Sequence, residues 1–261
     1  MSARVRLDQH YLVDGKVRDS MVAAIGLTPE DRVLEIGPGR GMLTRVMLPR
    51  VRELVAIELD DRMAPQLPDA MGRPANLKVI HADFLEYKLA FMDPGLWKVA
   101  ANLPYAVATP ILQKLLTWPQ WQDAVLMFQK EVAERIVADP GGCDYGLLGL
   151  SVAIHAQAHL LLDVPRGCFR PRPKVDSAVV LLRRRQQPLV PEPEQAGFFR
   201  VARAAFGQRR KMALGVLARG LGLPRERVAE AFAAGGIAES ARAEEIALAG
   251  FRDLARRLVG T

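Results

Sequence analysis

From Asp14 to about Arg185 the chain alternates short apolar runs with helix-like stretches, and this alternation predicts an α/β layer built on a mostly parallel sheet. Residues 33–36, 54–58, 77–81, 97–101 and 124–128 read as strands, each near the length of a buried sheet strand. Residues 43–48, 61–71, 110–116 and 130–138 read as the helices between them. Two longer segments, 152–164 and 175–184, are β-rich at their ends and predict a closing hairpin joined by the Pro-rich loop 165–173. Residues 147–152, which run into the first of these, read equally as the start of a helix. Pro188, Pro191 and Pro193 among charges predict a linker over 186–194. Beyond it, 197–206, 212–218, 225–234 and 241–258 show helical spacing, are rich in Ala, Leu and Arg, and are separated by Gly220, Gly222 and Gly235-Gly236. The pattern therefore predicts an α/β domain over 1–186 and a small all-helical domain over 187–261.

Composition narrows the class. With 261 residues, half of them hydrophobic, the chain can bury one substantial core and a small second one. No run approaches the roughly 20 apolar residues that cross a bilayer, and the first ten residues are polar and charged, so the expectation is a soluble, cytoplasmic protein without a membrane partner. Cys143 and Cys168 lack companions at zinc-like spacing and read as reduced thiols; no metal is expected. The net charge of +7 favours an anionic partner. Between Arg183 and Arg225 the positives, which include Arg183, Arg184, Arg185, Arg209, Arg210 and Lys211, face only Glu192 and Glu194, so the basic surface is concentrated late in the chain.

Candidate chemistry lies at the ends of the predicted strands. Glu35-Ile36-Gly37-Pro38-Gly39-Arg40-Gly41 follows the first strong strand and precedes a helix, so Gly37 and Gly39 let backbone approach a ligand. Glu58 ends the next strand, nineteen residues after Gly39, where a carboxylate accepts both hydroxyls of a ribose. Either a dinucleotide or another adenosine-containing cofactor satisfies these two features. Asp83 closes the third strand unit as a candidate adenine acceptor, beside Phe84 as a candidate cover for the ring; taken alone, Asp83 also reads as a helix N-cap. After the fourth strand, Asn102-Leu103-Pro104-Tyr105 offers a planar amine two acceptors and an aromatic face, the Asn102 side-chain oxygen, the Leu103 carbonyl and the Tyr105 ring, with Pro104 stiffening the turn.

These residues, with Gln9-His10-Tyr11-Leu12, Thr109-Pro110, Gln129-Lys130-Glu131-Val132-Ala133-Glu134-Arg135, Tyr145-Gly146, the long run from Phe169 to Val180, and Phe206 with Arg209-Arg210-Lys211, give the chain its resemblance to a known family. It resembles the adenosylmethionine-dependent rRNA adenine N6-dimethyltransferases of the KsgA type over most of its length. The resemblance implies a class I methyltransferase, Rossmann-like seven-stranded sheet with a helical C-terminal domain. It implies that His10, Leu12, Gly37, Glu58, Asp83 and Asn102 contact S-adenosylmethionine, that Asn102 and Leu103 grip the target amine, and that Tyr105 and Phe169 sandwich a flipped adenine. It further implies a monomer that dimethylates two adjacent adenines in the 3′-terminal hairpin of small-subunit rRNA, free or in an assembling subunit. The basic clusters 183–185 and 209–211 are the expected RNA contacts. Gly149 stands where the family's Tyr-Gly-x-Leu-Ser would put serine, and Ala106 and Ala108 replace polar residues, a change expected to leave room for the amine to turn between two methylations.

Rival functions remain at this level. A large-subunit rRNA adenine methyltransferase of the macrolide-resistance type shares the same core residues, although 129–136 and the helical tail favour the small-subunit group. A non-catalytic ribosome-assembly or transcription factor on the same fold would have no need of Glu58, Asp83 and 102–105. A nicotinamide-dependent dehydrogenase gives no reason for Asn-Leu-Pro-Tyr.

Overall fold

A computed structural model of the protein describes residues 10–260. Leu7, Asp8 and Gln9, the last of which enters the resemblance, lie outside the described residues. Chain order begins with β1 (Tyr11–Leu12) and α1 (Gly15–Ala24), followed by β2 (Arg32–Ile36), α2 (Thr44–Met47), β3 (Glu53–Glu58), α3 (Met63–Ala70) and β4 (Leu77–His81). Then come β5 (Trp97–Asn102), α4 (Ala108–Thr117), β6 (Trp121–Gln129), α5 (Lys130–Val137), α6 (Leu147–His155), β7 (Ala156–Val164), β8 (Phe169–Arg170) and β9 (Ser177–Arg184). The chain ends with α7 (Glu192–Phe206), α8 (Ala213–Leu221), α9 (Arg225–Ala234) and α10 (Leu248–Leu258).

Seven strands form one sheet in the order β4-β3-β2-β5-β6-β9-β7. β2 through β6 are parallel neighbours and β9 runs antiparallel to β6. The order reverses between β2 and β5, so the crevice where ligands bind in open α/β sheets falls at the carboxyl ends of these strands. Among the described residues β1 pairs only with β8, Tyr11 opposite Arg170 and Leu12 opposite Phe169, as a two-stranded ribbon. The strands are near-continuous apolar runs because both faces are covered: Val33, Leu34, Leu54, Ala56, Val99, Ala101, Val125 and Leu126 are almost fully buried. No helix among the described residues is long and apolar enough to cross a membrane.

The described residues divide into two compact units, 10–133 with 157–184, and 134–156 with 185–260. A single cut at 186/187 therefore misplaces α6. Leu150 and Ile154 of that helix are buried with Phe198, Val201, Leu214, Phe232 and Phe251, all residues of the second unit. Residues 152–155 are helical, not part of a strand, and 175–176 precede β9. The departure at Gly149 has a steric reason: a Cβ there would lie 2.9 Å from the Arg135 carbonyl oxygen, closer than packed atoms allow. The expected linker is shorter than 186–194, because Pro191 caps α7 and Val190 is buried in the second core.

Candidate active site

The carboxyl ends of β2, β3, β4 and β5, with the β1–β8 ribbon, surround a cavity of about 1500 Å³. His10, Leu12, Gly37, Gly39, Glu58, Asp83, Phe84, Asn102, Leu103, Pro104 and Tyr105 all line it. The structure thus gathers the cofactor and target-amine candidates at one place, with the exception of Phe169.

The glycine turn works through its backbone. Gly37 and Gly39 take positive φ, 66° and 55°, a region costly for any residue with a Cβ. A Cβ on Gly39 would also meet the Tyr11 ring at 3.1 Å, and the Arg40 guanidinium lies over the outer face of that ring, 4.8 Å from its centre. The turn is tied to β3 by Glu58, whose Oε2 accepts from the Gly39 N–H at 2.9 Å while Oε1 accepts from the Asp60 N–H at 2.9 Å. A carboxylate has about four acceptor positions, so both oxygens keep capacity for a ligand. Leu59, 44% exposed, adds an apolar face beside Glu58.

Just past the end of β4, Asp83 opens a turn over 84–87 and caps no helix, and it faces the cavity. Its Oδ1 accepts from the Leu85 N–H at 2.8 Å, and its carbonyl accepts from the Tyr87 N–H. Lys114 of α4, which sequence reasoning passed over, clamps this loop. Its Nζ donates to the Leu85 and Tyr87 carbonyls at 2.7 and 2.6 Å and lies 5.4 Å from the centre of the Phe84 ring. Burial lowers the lysine pKa, while Asp83 and Glu86 pull it back up. No sequence period marks such a residue; only its place opposite two carbonyls of the turn does.

Asn102 is oriented by its neighbours. Its Nδ2 donates to the His10 carbonyl at 3.0 Å. Because that carbonyl can only accept, the amide oxygen is turned the other way and remains an acceptor. The Tyr105 hydroxyl shares a 2.7 Å hydrogen bond with Ser177 Oγ, and burial raises its pKa. The His10 imidazole lies 5.5 Å from the Tyr105 ring, tilted by 38°, and its Nδ1 is 2.8 Å from the Pro171 carbonyl oxygen. His10 therefore steadies both Asn102 and Tyr105.

Phe169 stands elsewhere. It is fully buried, in a core that includes Leu12, Met127 and Val179, and it does not line the cavity. Withdrawing a phenyl ring from a core costs roughly 1.5–3 kcal/mol, about what stacking on a base returns. The expected sandwich is thus not formed by this arrangement, and the ring beside Tyr105 is His10. Ala106 and Ala108 do not line the cavity either; Val107 between them does.

Glu35 is a second group the sequence did not assign. It is fully buried behind the glycine turn and accepts from the Thr44 hydroxyl at 2.6 Å. Burial pushes its carboxyl up to about 7, against the lowering effect of Thr44 and with a further rise from Glu58.

Several of the expected RNA contacts are occupied. Arg184 donates to the Leu116 and Trp118 carbonyls and covers the Trp121 ring. Arg185 donates to the Ala153 carbonyl, and Arg209 to those of Cys143 and Tyr145. Arg183, Arg210 and Lys211 are exposed.

Known proteins resemble this chain in sequence and fold. The profile of the family described as ribosomal RNA adenine dimethylase matches residues 1–259. The Ribosomal RNA small subunit methyltransferase A of Geobacter metallireducens is 39% identical over 263 residues, spanning 98% of this chain and 96% of the relative. Among solved structures, a dimethyladenosine transferase from Plasmodium falciparum superposes with a TM-score of 0.79 at 25% identity, covering 94% of this chain and 96% of the other. The 23S rRNA methyltransferase ErmE does so with a TM-score of 0.75 at 29% identity, covering 95% and 99%. With Gly37, Gly39, Glu58, Asp83 and Asn102 on one sheet edge, and a family profile that spans nearly all of it, the chain belongs to the ribosomal RNA adenine dimethylase family.

Proposed function

We propose that the protein transfers methyl groups from S-adenosylmethionine to N6 of two adjacent adenines in the 3′-terminal hairpin of small-subunit rRNA, giving N6,N6-dimethyladenosine in the cytoplasm during ribosome assembly. The observation that carries the reading is the fixed Asn102 amide, whose oxygen is left as an acceptor next to the Leu103 carbonyl and the Tyr105 ring. The cavity suits the cofactor: Gly37 has open space where a Cβ would stand, and Glu58 keeps acceptor capacity for a ribose. Asp83 and Phe84 would hold and cover its adenine, and His10 and Leu12 its amino-acid end. When bound, the cofactor supplies an electrophilic methyl on a sulfonium.

The rest is the work of this chain. An adenine amine is a poor nucleophile because its lone pair is delocalised into the ring. Attack makes the nitrogen pyramidal and partly positive, so its N–H bonds to Asn102 Oδ1 and the Leu103 carbonyl strengthen as charge develops. Two hydrogen bonds to a charged group, at about 1.5–3 kcal/mol each, favour the transition state over the ground state. Tyr105, held by Ser177, keeps the base in line. The methylated ammonium is acidic enough to lose its proton to water. Because a paired base buries its amine, the adenine must be flipped out or taken from a loop, at a cost of a few kcal/mol. Exposed Arg183, Arg210 and Lys211 would hold phosphates meanwhile.

The likeness to ErmE makes the large-subunit target the rival. Offering both subunit RNAs together with labelled cofactor, and mapping the label by nucleotide, separates the two. Label confined to the small-subunit 3′ hairpin is expected, and label confined to large-subunit RNA would overturn the choice of target.

A further inference from the structure

We propose that a second, smaller cleft at the end of β6 is a phosphate subsite that holds the RNA strand next to the nucleotide whose base enters the cavity. The inference rests on the RNA-methylating reading above and goes beyond it by placing the strand. The cleft, of about 470 Å³, is lined by Gln129, Lys130, Glu131, Arg166, Lys174, Val175 and Asp176.

Its position follows from sheet register. Asn102, the last residue of β5, lies opposite Met127 of β6, and β6 continues two residues further to Gln129, which lies opposite Ser177 of β9. Ser177 holds the Tyr105 hydroxyl. One strand across and two residues along is about 8 Å, the scale of one nucleotide step. The cleft and the amine holder thus share the carboxyl edge of the sheet, joined by the Tyr105–Ser177 bond.

Its chemistry is that of an anion site. The lining brings three cations, Lys130, Arg166 and Lys174, against Glu131 and Asp176. The same loop exposes Arg170 and Arg172, and Arg170 also lines the cavity, so a basic rim runs from cavity to cleft. Val175 is the only apolar side chain among the lining residues, so no broad face is offered to a base. A guanidinium and ammonium groups around a polar hollow suit a phosphodiester.

The cleft is also built in advance. The Arg166 N–H donates to Asp176 Oδ1 at 2.8 Å, Arg166 Nη1 to the Lys174 carbonyl at 3.2 Å, and the Lys130 N–H to the Asp176 carbonyl at 3.0 Å. Lys130 Nζ pairs with Asp163 at 2.7 Å, which fixes one wall. Asp163 offsets Lys130, and Glu131 and Asp176 keep their charge in the cleft, so the cations left to meet a phosphate are Lys174 and the remaining N–H groups of Arg166, with exposed Arg170 and Arg172 on the same loop tipping the balance to positive.

The test measures affinity for naked small-subunit RNA across a salt series for wild type, Lys174→Gln, Lys174→Arg and the double variant Arg166→Gln/Lys174→Gln. Affinity for S-adenosylhomocysteine is measured alongside to show that the cavity is intact. One lost phosphate contact lowers the slope of log affinity against log salt by about 0.7–0.9, roughly a fivefold loss of affinity at 0.15 M salt. Lys174→Gln should show one such step, the double variant two, and Lys174→Arg none. If wild type binds and methylates the RNA while both Gln variants keep its slope, the subsite is wrong and the methyltransferase reading stands. A loss seen with assembled subunits but not with naked RNA would mean that a ribosomal protein meets the cleft, and would overturn the phosphate assignment. If wild type neither binds nor methylates the RNA, both readings fall.

Discussion

Glu35 sits fully buried with its carboxyl pushed up to about 7, from an ordinary value of 4.5. Replacing it by Gln keeps the shape and an acceptor for the Thr44 hydroxyl but removes the titration. In the unfolded chain Glu35 loses its proton near 4.5; in the folded protein it keeps it to about 7. Between those values the native state binds more protons than the unfolded one, so this group's contribution to stability falls as pH rises through the window. A shift of about 2.5 units corresponds to roughly 3 kcal/mol, lost in full above pH 7. Glu35→Gln escapes that loss. Its stability relative to wild type should therefore rise by about 2.5 kcal/mol between pH 5 and pH 8. For a chain of this size that is roughly 5–10 °C in melting temperature. Melting curves of both proteins in matched buffers at half-unit steps read it, because titrating groups not coupled to Glu35 cancel in the difference. A gap between the two melting temperatures that stays constant from pH 5 to pH 8 would refute the buried neutral carboxyl.

Three further outcomes follow from the cavity and its surroundings. Lys114→Met should weaken S-adenosylhomocysteine binding about tenfold, or 1.4 kcal/mol, by releasing the 83–87 loop, with partial recovery in Lys114→Arg; unchanged calorimetric binding in the Met variant would show that the clamp is idle. Tyr105→Phe, which loses only the Ser177 bond, should cost about 1 kcal/mol in kcat/KM for RNA, whereas Tyr105→Ala should cost a further 1–3 kcal/mol from lost stacking; equal losses would contradict a stacking role. Arg184→Met should lower the melting temperature while leaving RNA affinity unchanged, since its guanidinium holds the Leu116 and Trp118 carbonyls; the reverse pattern would return Arg184 to the RNA surface.

Strand cores were legible in the sequence because a sheet covered on both faces needs near-continuous apolar runs, and 33–36, 54–58 and 97–101 supply them apart from Glu35, Glu58 and Lys98. The candidate residues Glu58, Asp83 and Asn102 were legible for a related reason: each stands where such a run stops, and parallel strands bring those stops to one edge. Leu147–His155 was ambiguous because it is apolar almost throughout, and a run buried on all sides carries no period to separate helix from strand. The domain cut was misread for the same reason, since nothing in 147–155 tells which core it fills. α1 was not singled out as a helix, although Asp14 caps it by accepting from the Lys16 and Val17 N–H groups. Arginine clusters were the least informative feature. Charge counts place Arg184, Arg185 and Arg209 on a basic surface, but they do not reveal that each guanidinium is committed to backbone carbonyls. Phe169 shows the limit of a motif: the residue stands where the resemblance puts it, and its ring lies in the core.

The most direct test of the central claim is nucleoside analysis of small-subunit RNA after reaction with S-adenosylmethionine and either wild type or Asn102→Ala. The account predicts N6,N6-dimethyladenosine from wild type and its loss in the variant, whose cofactor is still bound through Glu58 and Asp83. Dimethyladenosine formed by Asn102→Ala at the wild-type rate, or a methylated base other than adenine, would contradict it.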